Sequence, residues 1–260
     1  AESGHINAHE TGALEAVGHK CLTLPTSNGK ITAEQVDTLI QNHYNDASAE
    51  HTVQPGIVYI SFPTESGTLY SKQELIELYA VCQTHNIPLF IDGARLGYGL
   101  MAKNNDVTFE DIANLCDVFY IGGTKVGALF GECIVILNDL YKKDFRYSIK
   151  QHGGMLAKGR MLGIQFEELF KDNRYLTISK HAIDMADILT EGFQSKGYSF
   201  FFPAETNQLF PIFENTKLKE LSQEFAFTPW IKIDETHTAV RFVTSFATKR
   251  KNVEYLLTKI

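Results

Sequence analysis

The chain has 260 residues, 44% of them hydrophobic and 21% charged, with a formal net charge of -7 at pH 7. That length suits one large domain or one domain with a small appendage, and an acidic balance without a basic patch excludes a nucleic-acid-binding surface. No apolar run approaches the ~20 residues that cross a bilayer. The opening AESGHINAHE lacks a signal-peptide pattern, and Cys21, Cys82, Cys116 and Cys133 stand singly without CxxC spacing. A soluble, cytoplasmic protein with free thiols is expected, with no membrane partner.

Strand-like and helix-like stretches alternate along the sequence, which predicts α/β architecture. Between Ile31 and His43, Thr32 offers a helix cap and Val36, Leu39 and Ile40 share one face. GIVYISF, residues 56–62, reads as a strand. Ser71 with Glu74 three residues on forms a capping box, so a helix is predicted over KQELIELYAVCQTH, leading directly into the strand IPLFID. A strand, helix, strand unit of this kind requires a parallel sheet. Thr108 to Leu115 predicts a short helix, DVFYI the next strand, and LFGECIVIL, residues 129–137, another. After Asp172 a long amphipathic stretch from Tyr175 to Ser195 precedes SFFFPAETNQLFPIF and TAVRFVTSF, and a helix from Lys249 to Ile260 comes last. The pattern predicts a large domain over 1–174, with a mostly parallel sheet flanked by helices, and a small α+β domain over 175–260.

Two strand endings carry the chemistry. IPLFIDGAR ends in Asp92 and Arg95, and DVFYIGGTKVG carries Lys125, 33 positions beyond Asp92. In each, an apolar run stops at glycine and a charged side chain, as expected of a buried parallel strand presenting functional groups at its carboxyl end. A lysine for covalent attachment, a carboxylate to keep a pyridine nitrogen protonated and a cation for a substrate carboxylate together form the set that holds pyridoxal 5'-phosphate. Other motifs are absent: IGGTKVG lacks the GxxxxGK[ST] order, DGARLGYG lacks GxGxxG, and His5 and His9 lack HExxH, HxxEH and a third ligand, so no metal is expected.

The run GHINAHETGA, the endings IDGAR and GGTKVGALFGE, the segment FRYSIKQHGGMLAKGRMLGIQF and the late VRFVT together resemble the threonine aldolase and β-eliminating lyase group of fold-type I pyridoxal-phosphate enzymes, near the low-specificity L-threonine aldolases. The resemblance covers nearly the whole sequence, with its blocks in family order. It implies a large sheet domain, a small carboxyl-terminal domain, an active site at a subunit boundary, and a homodimer or homotetramer acting on a small amino acid. It also implies the roles of individual residues. Lys125 corresponds to the cofactor-bearing lysine, Asp92 to the carboxylate at the pyridine nitrogen, and Arg95 with Arg241 to the pair gripping the substrate carboxylate through planar guanidinium forks. His5 corresponds to the histidine stacked over the cofactor ring. Arg146, Lys150 and Lys158 lie in a basic segment that reads equally as a phosphate-facing surface and as solvated helix charge.

The sequence departs from the family pattern in two places. A glycine and threonine turn that binds the cofactor phosphate at a helix start would precede His5, so this phosphate cradle and the N-terminal part of the family fold are expected to lie outside these 260 residues. Many threonine aldolases also carry a histidine where this sequence reads PTESG, which places Glu65 at that position. The expected activity is cleavage of the Cα–Cβ bond of a β-hydroxy amino acid such as threonine, with His5 as proton acceptor and Glu65 as helper or substrate-selecting residue. A β-eliminating lyase acting on an aromatic or sulfur amino acid, and a catalytically silent relative, are the alternatives.

Overall fold

A computed structural model describes residues 1–260. Two short helices, α1 (His5–Ala8) and α2 (Ala13–Ala16), come first, followed by the longer α3 (Ala33–Asn45). Then follow β1 (Val58–Ser61), α4 (Lys72–Thr84), β2 (Leu89–Asp92), α5 (Leu96–Leu100), α6 (Phe109–Asn114), β3 (Val118–Ile121) and β4 (Cys133–Ile136). The four strands form one sheet in the order β1-β2-β3-β4; the first three are parallel and β4 runs antiparallel to β3. The parallel pairs are joined through α4 and through α5 with α6, the long crossovers that parallel pairing demands.

Local chemistry sets the helix starts. Thr32 with Gln35, Ser71 with Glu74 and Thr108 with Asp111 each form a reciprocal capping box, in which the side chain of the first residue and that of the residue three later satisfy each other's backbone amides. The strands are short and mostly buried, so their apolar side chains feed a core that contains Ile60, Leu75, Leu78, Leu89, Ile91, Ile112 and Val126.

Helices α7 (Phe145–Gln151) and α8 (Arg160–Phe170) lead to α9 (Arg174–Ser195), the longest helix. Beyond it, β5 (Gln208–Leu209), β6 (Ile212–Glu214), α10 (Asn215–Leu221), β7 (Thr228–Lys232), β8 (His237–Val243) and α11 (Arg250–Lys259) build a second, antiparallel sheet in which β8 pairs with β5, β6 and β7. The amino-terminal half of α9 packs Tyr175, Ala182 and Ile183 into the first core, while Met185, Ala186, Leu189 and Phe193 enter a second core with Phe213, Val240 and Leu256. No helix is long and apolar enough to cross a membrane.

Tyr175 ties α9 to the functional end of the first sheet. Its hydroxyl accepts the Gly97 amide at 3.1 Å and donates to the Gly122 carbonyl at 3.1 Å, and the residue is 1% exposed. Removing the hydroxyl leaves both backbone groups buried without a partner. Tyr175→Phe is therefore expected to lower stability by about 1–3 kcal/mol, read as a lower urea midpoint with an unchanged m-value.

Candidate active site

Asp92 stands at the last position of β2 and is 8% exposed. Its Oδ1 accepts the Ala94 amide at 2.8 Å and its Oδ2 accepts the Tyr59 hydroxyl at 2.6 Å. Burial pushes the Tyr59 phenol upward, and the charge of Asp92 adds to the shift; Tyr120 is raised by the same two causes in the same order. Both phenols therefore remain protonated donors at neutral pH.

Lys125 lies just beyond β3, in a single 3-10 turn over Thr124–Val126. Three side chains set that turn. Buried Val126 anchors it below, the Tyr98 hydroxyl donates to the Lys125 carbonyl, and Glu132 accepts from the Gly123 amide and, at 3.0 Å, from Thr124 Oγ1. The ammonium itself has no carboxylate partner among the ion pairs of the chain and is solvent-accessible, yet its pKa is lowered, first by the desolvation of its surroundings and then by the Arg95 charge. Asp92, Glu132 and Glu10 act in the opposite direction.

Arg95 precedes α5 and is partly buried; burial lowers its pKa, followed by repulsion from Arg241, with Glu65 and Asp92 opposing. Arg241 projects from β8, the central strand of the second sheet, with its guanidinium 5.4 Å from the centre of the Trp230 ring. Its Nε is buried with no hydrogen-bond partner. Two mutually repelling guanidinium groups, one with an unused buried donor, form a site suited to an anion such as a carboxylate.

Glu65 lies in the turn after β1, where its Oε1 accepts Ser61 Oγ at 2.8 Å and the backbone amide of His5 at 2.8 Å. The His5 imidazole is exposed and its Nδ1 meets Glu10, while its ring lies 5.1 Å from that of His9. No group of three or more His, Cys, Asp or Glu side chains is gathered for a metal ion. Arg146, Lys150 and Lys158 are exposed on and after α7, without carboxylate partners.

The structure thus places Lys125, Asp92, Arg95 and Arg241 in one electrostatic neighbourhood, and links Glu65 to His5 through the backbone of the latter. Reading the sequence missed Tyr59, Glu10, Glu132 and Tyr98. Glu10 stood in the GHINAHETGA run, five residues from His5, and carried a usable signal. Tyr59 carried none, because its contact depends on the pairing of β1 with β2.

The fold is shared with solved structures. A threonine aldolase structure from Leishmania major superposes with a TM-score of 0.95 at 44% identity, covering 99% of this chain and 74% of that one. A putative L-allo-threonine aldolase from Listeria monocytogenes shares the fold with a TM-score of 0.75 at 21% identity, covering 99% of this chain and 72% of that one. In sequence, a low specificity L-threonine aldolase from Pseudomonas sp. is 29% identical across 100% of this chain and 74% of its own length. A second, from Pseudomonas aeruginosa, is 30% identical across 81% of this chain and 60% of its own length. The class these findings define is a pyridoxal-phosphate-dependent lyase of fold type I. A model of the beta-eliminating lyase family matches residues 1–216, and the chain belongs to that family.

The residues present fit the cofactor: a buried carboxylate with both oxygens fixed, an accessible lysine with lowered proton affinity, and unpaired arginine donors. Because desolvation and Arg95 lower the Lys125 pKa, its amine should become reactive at lower pH than an ordinary lysine side chain. Replacing Arg95 with Ala removes one repelling charge and should move that profile to higher pH. Mass-spectrometric measurement of Lys125 acylation against pH checks both shifts.

Proposed function

We propose that this protein cleaves the Cα–Cβ bond of a β-hydroxy amino acid, converting threonine to glycine and acetaldehyde. The observation carrying this reading is that Lys125, Asp92 and Arg95 lie at the carboxyl ends of β2 and β3 with Arg241 approaching from β8, in a chain whose relatives include threonine aldolases. Bound pyridoxal phosphate supplies the sink for the electron pair left on the α-carbon when the bond breaks. Lys125 would hold the cofactor covalently through its amine, and its lowered proton affinity favours the neutral nucleophile. Asp92, fixed through both oxygens, would hold the pyridine nitrogen of the bound cofactor. Arg95 and Arg241 bind the substrate carboxylate, using donors that the protein itself leaves unpaired.

His5 accepts the proton of the β-hydroxyl, with Glu10 beside Nδ1 to orient the imidazole and compensate its charge. Glu65 holds the His5 backbone and selects the substrate through its placement beside it. The assembly we propose is a homodimer or homotetramer, supported by a run of exposed apolar side chains: Leu129 is 85% exposed, Leu140 76% and Tyr147 71%, with Met161 and Ile164 nearby in sequence. The four free cysteines support a cytoplasmic location.

Borohydride reduction of the cofactor-loaded protein, followed by peptide mapping, should leave the pyridoxyl group on Lys125. A label on Lys103 or Lys150 would overturn the site. Incubation with threonine should yield glycine and acetaldehyde, strongly reduced in His5→Asn. Pyruvate as the main product from tryptophan, tyrosine or cysteine would instead support a β-eliminating activity, the reaction in the family's name. Asp92→Asn should slow turnover far more than it weakens apparent substrate affinity, since it removes charge and preserves shape.

A further inference from the structure

We propose that Tyr59 is a positioning residue of the cofactor site, fixing the carboxylate of Asp92 through its phenol. The inference rests on reading Asp92 as the group facing the pyridine nitrogen. The parallel register of β1 and β2 sets Tyr59 beside Phe90 and Ser61 beside Asp92. Residues two apart share a strand face, so Tyr59, Ser61, Phe90 and Asp92 all project from the same side of the sheet. The Tyr59 and Phe90 rings stack with centroids 5.0 Å apart and planes 6° from parallel, and Tyr120 continues the aromatic row from β3, 6.2 Å from Phe90. From this face the Tyr59 hydroxyl donates to Asp92 Oδ2 at 2.6 Å, while Oδ1 is held by the Ala94 amide at 2.8 Å.

The Ala94 amide on Oδ1 and the Tyr59 phenol on Oδ2 fix the plane of the carboxylate, with the Tyr120 phenol a further neighbour of the same acid. Both donors engage the carboxylate oxygens, so the acid is presented to a pyridine nitrogen in one orientation. A short hydrogen bond from a phenol to a charged acceptor is among the stronger polar contacts a protein makes. An acid held only by its backbone could turn away from the ring nitrogen, whereas one clamped from the sheet side presents a constant face. The Tyr59 phenol has no other hydrogen-bond partner, so this contact is the only polar role the structure gives it.

The test compares Tyr59→Phe, Asp92→Asn, the double variant and Phe90→Leu in the full chain. Pyridoxal phosphate affinity is measured by absorbance titration, and the visible band of the bound cofactor is followed against pH. Tyr59→Phe should weaken affinity about tenfold, the scale of one hydrogen bond to a charged group, and shift the pH midpoint of the band. The double variant should bind no more weakly than Asp92→Asn, because Tyr59 acts through Asp92. Phe90→Leu, which removes the stacked ring and keeps the phenol, should stay within about threefold of the unaltered chain. Unchanged affinity and midpoint in Tyr59→Phe, fully multiplied losses in the double variant, or an equal loss in Phe90→Leu would each overturn the proposal. The reading of Asp92 falls, and the proposal with it, if Asp92→Asn takes up pyridoxal phosphate as tightly as the unaltered chain. If the unaltered chain binds the cofactor but releases no glycine from threonine, the reaction assignment alone falls.

Discussion

Gly93 and Gly122 approach so closely that neither position has room for a side chain. The Gly122 amide donates to the Gly93 carbonyl at 2.8 Å, and a β-carbon built on Gly93 would lie 1.9 Å from the Tyr120 carbonyl oxygen, one on Gly122 2.2 Å from that of Ala94. This contact continues the β2–β3 pairing past the ends of the strands. Asp92 immediately precedes one glycine and Lys125 follows three residues after the other, so their separation is set by backbone packing and not by side-chain reach. Tyr175 then reads the same junction from below, bonding Gly97 and Gly122 with one hydroxyl. The acid, the lysine and the helix that begins after Arg95 are consequently parts of one rigid unit.

That unit accumulates positive charge. Lys125 and Arg95 are both desolvated, and Arg95 is repelled by Arg241 and itself repels Lys125. In a chain of net charge -7 the carboxylates for complete neutralisation are available, yet several pair elsewhere, such as Glu74 with Lys30 and Asp111 with Lys72. Asp92, Glu65, Glu132 and Glu10 moderate the cations without forming direct ion pairs with them. The arrangement resembles a site prepared for anions: strong donors are left unused until a phosphate or carboxylate arrives, when the desolvation already incurred makes each contact stronger.

Arg241 reaches this centre from the other half of the molecule, and a polar seam fixes how the halves meet. Leu69 donates to Glu205, Thr206 to the Gly67 carbonyl at 2.9 Å and Asn207 to the Thr244 carbonyl at 2.8 Å, all largely buried. Thr244 in turn donates to Ala182 on α9 at 2.6 Å. The seam runs through the turn that carries Glu65, so β8, the Glu65 turn and α9 are held in one geometry. Directional bonds of this kind specify a single docking angle, which the apolar cores on either side of α9 would not do alone.

The sequence by itself determined the alternation of strands and helices, the capping boxes at Ser71 and Thr32, and the two strand endings with their charged residues. Each of these is local: periodicity, a side chain three residues from its partner, or an apolar run that stops at glycine. It also determined that β1 and β2 run parallel, because the connection between them is a helix. The strand β7 and the short helices α5 and α10 went unread, since their residues take their conformations from neighbours and not from their own pattern. Only the tertiary structure decided that Tyr59 meets Asp92, 33 residues away, because that contact follows from pairing Tyr59 with Phe90, and a slip of one residue would turn the phenol to the opposite face. The approach of Arg241 to Arg95 was likewise decided by the docking of the second sheet, whose angle depends on buried hydrogen bonds between segments more than a hundred residues apart.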